Sequence, residues 1–194
     1  MKRIAFASLA LAAAFTIGPN AAPAQHAGHH LESKSSGPAM PYAGQDLQKI
    51  TSLSDAEVSD LLAGKGMGLA KPAELNGYPG PAHVLEHAEK LELTADQRSA
   101  VQAAFDKMAT RAKAAGAKYV AAEQALDDLL RAGNPEPAAV SARLAAADAA
   151  RAETRMAHIA AHLEITPLLT TQQRQLYAEL RGYRDGQAPV DKKH

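Results

Sequence analysis

Two stretches of this chain repeat one pattern. His83 to Gln97 reads HVLEHAEKLELTADQ, and His158 to Gln173 reads HIAAHLEITPLLTTQQ. Each carries two histidines four residues apart, a short spacer and then Leu-Thr-x-x-Gln (Leu93, Thr94 and Gln97; Leu169, Thr170 and Gln173), with an arginine after each Gln (Arg98, Arg174). The second half of the pattern is a helix start. Thr94 and Thr170 are suited to accept a hydrogen bond from an orphan backbone N–H, and Gln97 and Gln173 reach back to complete a capping box. The first half is helical as well. His83 with His87, and His158 with His162, stand at i and i+4, which places each pair on one helix face, close enough to share a ligand. Each copy therefore predicts helix, tight turn, helix.

Apolar spacing fills in the rest. Val101, Phe105, Met108, Ala112, Ala115, Tyr119, Ala122, Leu126 and Leu129 alternate steps of four and three, a heptad seam along one long helix from Thr94. Gly133-Asn134-Pro135 ends that helix and Pro137 opens the next. The returning helix has a weaker seam of Val140, Leu144, Ala147, Arg151, Thr154, His158, Ala161, Ile165 and Leu168, which puts His158 on the inward stripe. Earlier in the chain, Ser54 and Glu57 form another capping box before Val58, Leu61 and Leu62, and Gly64 and Gly66 stop that short helix. The Gly- and Pro-rich run to Pro81 accommodates one turn around Pro72 to Leu75. It reads either as a loop presenting Met67 and Tyr78 or as a segment wrapped over the ends of the long helices. Pro81 then opens the helix that carries the first histidine pair, with Val84, Leu85, Ala88 and Leu91 as its buried side. The expected fold is all-α: a long antiparallel helical hairpin flanked by shorter helices.

Composition limits the core. The chain is 46% apolar, but much of that is Ala and there is no Trp. So thin a core implies closely packed helices supported by a second subunit, an intertwined or cradle-like homodimer. Residues 1–24 read as a cleavable secretory signal, with Lys2 and Arg3, an apolar run and an Ala22-Pro23-Ala24 cleavage site. Residues 25–41 form a polar tail with His26, His29 and His30, either a weak metal collector or incidental. A Gly/Pro-rich segment (42–80), the helical domain (81–185) and a polar tail (186–194) follow. The mature chain is expected in the periplasm without stable membrane insertion. Lys and Arg total 21 against 21 Asp and Glu; a balanced chain without a basic stripe argues against nucleic acid. With no cysteine, no phosphate loop and no nucleophile motif, a non-enzymatic role is expected.

The two Leu-Thr-x-x-Gln motifs on an Ala-rich, signal-bearing helical chain resemble the periplasmic LTxxQ family of Spy and CpxP chaperones, over roughly residues 80–185. That resemblance implies an all-α, cradle-like dimer that acts without ATP on unfolded envelope proteins or damps a membrane sensor protein. The histidine pairs are also similar to those of the CnrX and ZraP heavy-metal-binding branch. There, an H-x-x-x-H and an H-x-x-x-M converge on one metal with a carboxylate from the first long helix. His83, His87 and His158 match, His162 stands in the place of the Met, and Phe105 occupies the carboxylate position, with Asp106 beside it and Gln102 a turn earlier.

Two functions follow as expectations. The first is an ATP-independent chaperone or adaptor for unfolded envelope proteins. The second is a sensor or resistance protein holding Zn, Cu, Ni or Co through His83, His87, His158 and His162, since imidazole nitrogen suits these ions. The plain alternative for the histidines is an amphipathic surface, paired with carboxylates such as Glu86 or Glu164 or simply solvated.

Overall fold

The computed structural model describes residues 40–183. The expected signal segment, most of the His-rich tail and the C-terminal polar tail lie outside the described residues. Within them are six α-helices and two short 3-10 turns, and no strand among the described residues. The all-α expectation therefore holds. The helices are α1 (Asp55–Leu62), α2 (Lys71–Leu75), α3 (Pro81–Glu86), α4 (Ala95–Arg131), α5 (Pro137–Ile165) and α6 (Thr171–Leu180). None is long and apolar enough to cross a membrane.

Helices α4 and α5 form the hairpin. At 37 residues α4 is about 55 Å long, and it reverses through Gly133 and Asn134, both at positive φ, before Pro137 starts α5. The buried faces are Val101, Ala104, Ala112 and Ala115 on one helix and Ala147, Ala150, Thr154, His158, Ala161 and Ile165 on the other. Where the seam carries Leu144 or Arg151 the side chain is exposed.

The segment before α3 wraps along the hairpin. Ile50, Leu53 and Leu61 make a small cluster with Val58, Tyr119 and Val120. The end of α1 rests on α4 at Gly116, where a Cβ would stand 2.2 Å from the Leu61 carbonyl oxygen. Only glycine admits so close an approach. The sequence reads Asp127 and Arg131, flanking the seam, as part of a solvated face or as an ion pair of small value; the ion pair forms, but Asp127 is not at the surface. It is 6% exposed, because residues 48–53 fold over it. It accepts hydrogen bonds from the Thr51 hydroxyl and from Arg131 Nε at 2.6 Å, while Arg131 Nη2 donates to the Gln48 carbonyl at 2.9 Å.

A second correction concerns α3, which ends at Glu86 and leaves His87 as its C-cap. One further turn follows. Leu93 N–H donates to the Ala88 carbonyl at 3.0 Å, with Glu92 in the left-handed region at φ 50. The chain has to reverse within a few residues so that Leu91 and Leu93 reach the core while Thr94 begins α4. That core contains Val84, Leu91, Val101, Ile165, Leu169 and Tyr177.

As at Ser54, the expected capping boxes form around Thr94 and Thr170. They also bind each other. Gln97 Nε2 donates to Gln173 Oε1 at 2.9 Å, and Gln173 Nε2 donates to Gln97 Oε1 at 3.0 Å. The remaining amide hydrogens go to the Leu168 carbonyl (2.8 Å) and the Leu91 carbonyl (3.1 Å). Each Gln oxygen also accepts the N–H of its own capping threonine. Both amides are thereby satisfied as donor and acceptor.

Two measurements test these contacts. Gln97→Ala and Gln173→Ala should each lower the unfolding free energy by about 1–3 kcal/mol. The double variant should fall short of additivity by at least about 0.5 kcal/mol; strict additivity would show that the amides do not act as a unit. For Asp127, the Thr51 hydroxyl and then the Arg131 guanidinium hold the carboxyl below its ordinary value of 3.8, against the opposing effect of burial. A carboxyl depressed in the folded state stabilises the fold above its unfolded value and loses that contribution as pH falls through its folded value. Asp127→Asn should therefore destabilise the chain at neutral pH, and the gap to the native protein should close as pH drops below 3.8. A gap that persists at about pH 2 would contradict the assignment.

Candidate metal centre

The inward stripe of α5 delivers two imidazoles to the interior. His158 is 3% exposed and His162 8%. Helical spacing stacks them one turn apart, and the Thr166 hydroxyl donates to the His162 carbonyl at 2.6 Å where the helix ends. His162 Nδ1 lies 2.8 Å from the Tyr78 carbonyl oxygen. A carbonyl only accepts, so Nδ1 carries the hydrogen, and in the neutral ring Nε2 keeps its lone pair. His158 Nε2 is buried with no hydrogen-bond partner among the described residues. Burial first, and the neighbouring His162 second, lower the pKa of His158. It is thus neutral at physiological pH, the state in which imidazole binds metal.

Opposite them stands Glu74, on α2. Its Oε1 accepts hydrogen bonds from the hydroxyls of Tyr177 and Tyr183, the latter at 2.8 Å, and Arg181 Nε lies 3.5 Å away. Its Oε2 is buried without a hydrogen bond and lies 3.5 Å from His162 Nδ1. The Tyr177 hydroxyl, which also accepts the Gly80 N–H at 3.3 Å, has its pKa pushed well up by burial and by the Glu74 carboxylate.

A cavity of about 760 Å³ joins these groups. Glu74, His83, His158 and His162 all line it, together with Phe105, Met108 and Gly80. Of the four histidines singled out from the sequence, three share this cavity and His87 is not on its wall. His83 is 41% exposed in its side chain and its Nδ1 lies 3.2 Å from Glu86 Oε2. Among the described residues no three His, Asp or Glu side chains converge on a common point that would hold an ion as they stand. The donor set nevertheless suits a transition metal, with imidazole nitrogens and one carboxylate, two of them presenting buried atoms that nothing else satisfies.

Glu74 and its tyrosines were not among the residues singled out from the sequence. Glu74 is the one carboxylate between Asp60 and Glu86, which is a usable signal, but nothing in the local pattern says that α2 turns it inward. Phe105, at the position where the resemblance places a carboxylate, lines the same cavity.

A family model described as heavy-metal resistance matches residues 63–176, from the end of α1 into α6, and so includes both histidine pairs, Glu74 and both Leu-Thr-x-x-Gln motifs. Comparison with curated proteins gave no match, and neither did comparison with solved structures.

Proposed function

This chain belongs to the heavy-metal resistance family, and from that premise we propose that it is a periplasmic metal-binding protein that senses or sequesters a divalent transition metal. The observation that carries the reading is the buried imidazole pair. A helix seam normally takes apolar side chains at such positions. Here it takes His158 and His162, one with a wholly unpartnered nitrogen and the other held in the tautomer that leaves Nε2 free. They would hold Zn, Cu, Ni or Co, with His83 of α3 on the same cavity wall and His87, the C-cap of α3, off that wall. Bound metal would tie separate elements together. Its role in this reading is structural and regulatory, not catalytic. A homodimer and a membrane sensor protein are the partners that fit such a device.

Melting the EDTA-treated protein, then repeating with each of the four metals, tests this. At a free metal concentration one hundred times Kd, binding stabilises the fold by about 2.7 kcal/mol, a rise of about 5–10 °C in Tm for a domain of this size. His158→Ala/His162→Ala should abolish the rise. No shift with any of the four metals, or an undiminished shift in the double variant, would overturn the assignment.

A second reading, an ATP-independent holder of unfolded envelope proteins, draws on the exposed apolar side chains Leu62, Leu75, Leu144, Met156 and Leu163. It ranks second because the family is described by heavy-metal resistance. It predicts that the protein in molar excess, without ATP, suppresses aggregation of a chemically denatured client; absence of suppression removes it.

A further inference from the structure

We propose that Glu74 is a metal ligand: its free Oε2 joins His158 Nε2 and His162 Nε2 in a three-donor site built between α2 and α5, an assignment that rests on the metal-binding reading above. Three independent features of the fold lead to it.

The first is the pair of orphaned atoms. Glu74 Oε2 and His158 Nε2 are both buried without a hydrogen bond, and both residues line one cavity. Leaving such a group unpartnered opposes folding, and folded proteins keep few of them. Both on the wall of one cavity, an anionic oxygen whose nearest polar neighbour is the His162 Nδ1–H at 3.5 Å and an imidazole nitrogen are complementary to a cation.

The second is Gly80. Its backbone, with φ −85° and ψ 137°, is one that any residue adopts. The glycine is therefore not there for conformation. A Cβ at this position would stand 3.2 Å from Glu74 Oε2, 3.2 Å from His162 Nε2 and 2.9 Å from His162 Cε1. The missing side chain leaves a space flanked by two of the three donors.

The third is orientation. Tyr177 and Tyr183 hold Oε1, and the Tyr78 carbonyl holds His162 Nδ1–H. Each of these two cavity-lining residues thus has one atom held by the protein, the arrangement by which outer hydrogen bonds orient metal ligands.

The three donors line one cavity without converging on a single point, so binding has to gather them. Two nitrogens and one carboxylate oxygen suit Zn, Co or Ni better than a soft cuprous ion. The cationic groups Lys65, Lys71, Lys113 and Arg181 also line the cavity. Lys65 is already paired with Asp60 at 2.6 Å and remains largely exposed; Arg181 is turned to the Oε1 side of Glu74. Because the tyrosines belong to α6 and the residues after it, metal on Oε2 would clamp the N-terminal segment, α5 and the C-terminal helix at once.

Titrating the EDTA-treated full chain with Co(II), following the visible absorption of bound cobalt, and measuring Zn(II) affinity by competition with a chromogenic chelator tests the proposal. Glu74→Gln keeps a carbonyl oxygen for the two tyrosines. It should weaken Co(II) and Zn(II) more than about 100-fold, beyond the 10–100-fold typical of an outer-shell group, and should change the cobalt spectrum. Gly80→Ala, which removes no donor, should weaken both metals as well, and it decides the matter if Glu74→Gln does not fold. A wild-type cobalt spectrum in Glu74→Gln at whatever affinity, or unaltered affinity and spectrum in Gly80→Ala, overturns the assignment. If His158→Ala loses metal while Glu74→Gln retains the native spectrum, the metal-binding reading stands and this inference alone falls. If the native protein binds neither Co(II) nor Zn(II), both fall.

Discussion

The reciprocal amide pair of Gln97 and Gln173 holds the arrangement together. An Ala-lined seam lets α4 and α5 approach closely, but methyl groups offer little to resist sliding or rotation. The two glutamines supply direction. Each closes its own helix cap and clasps the other, so the start of α4 and the start of α6 are fixed relative to one another in both distance and angle. The turns that precede them follow, since each glutamine also holds a carbonyl in the other repeat's turn, Leu168 in one case and Leu91 in the other. The duplicated motif is therefore one tertiary joint made of two local ones.

What lies beside that joint is less favourable for stability. His158 occupies a seam position where an apolar side chain would bury without penalty, and its Nε2 is left unpartnered. Glu74 brings a carboxylate into the same cavity and satisfies only one of its oxygens. Buried polar groups in this condition oppose folding, and here they gather where the wrapping segment, α5 and α6 meet. The heavy-metal resistance family match runs through this region without singling it out; the local conflict is what marks it.

The chain shows both what periodicity can reach and where it stops. The capping boxes at Ser54, Thr94 and Thr170, the turn at Gly133 and Asn134, the Pro81 and Pro137 helix starts and the inward placement of His158 were all legible, because each depends on residues within a turn or two of one another. The end of α3 was not: an i, i+4 histidine pair fits a continuing helix equally well, and the reversal at Glu92 is imposed by the need to place Leu91 and Leu93 in the core. Asp127 has the pattern of a surface charge, and only the Thr51 segment folding across it makes it buried. Glu74 sits in a Gly- and Pro-rich run with no period to reveal which way it faces.

By itself, then, the sequence determined most of the helices, their caps, the hairpin and the stripe on which His158 turns inward, since all of these arise from hydrogen bonds and spacing local to the chain; that His162, one turn on and to one side, is buried as well came from the packing. Only the tertiary structure decided that Gln97 meets Gln173, that His83 reaches the cavity wall while His87 does not, and that the carboxylate facing the histidines comes from α2. Those outcomes join residues about 70 to 110 positions apart, and contacts at that separation are set by how whole helices pack, which local spacing does not encode.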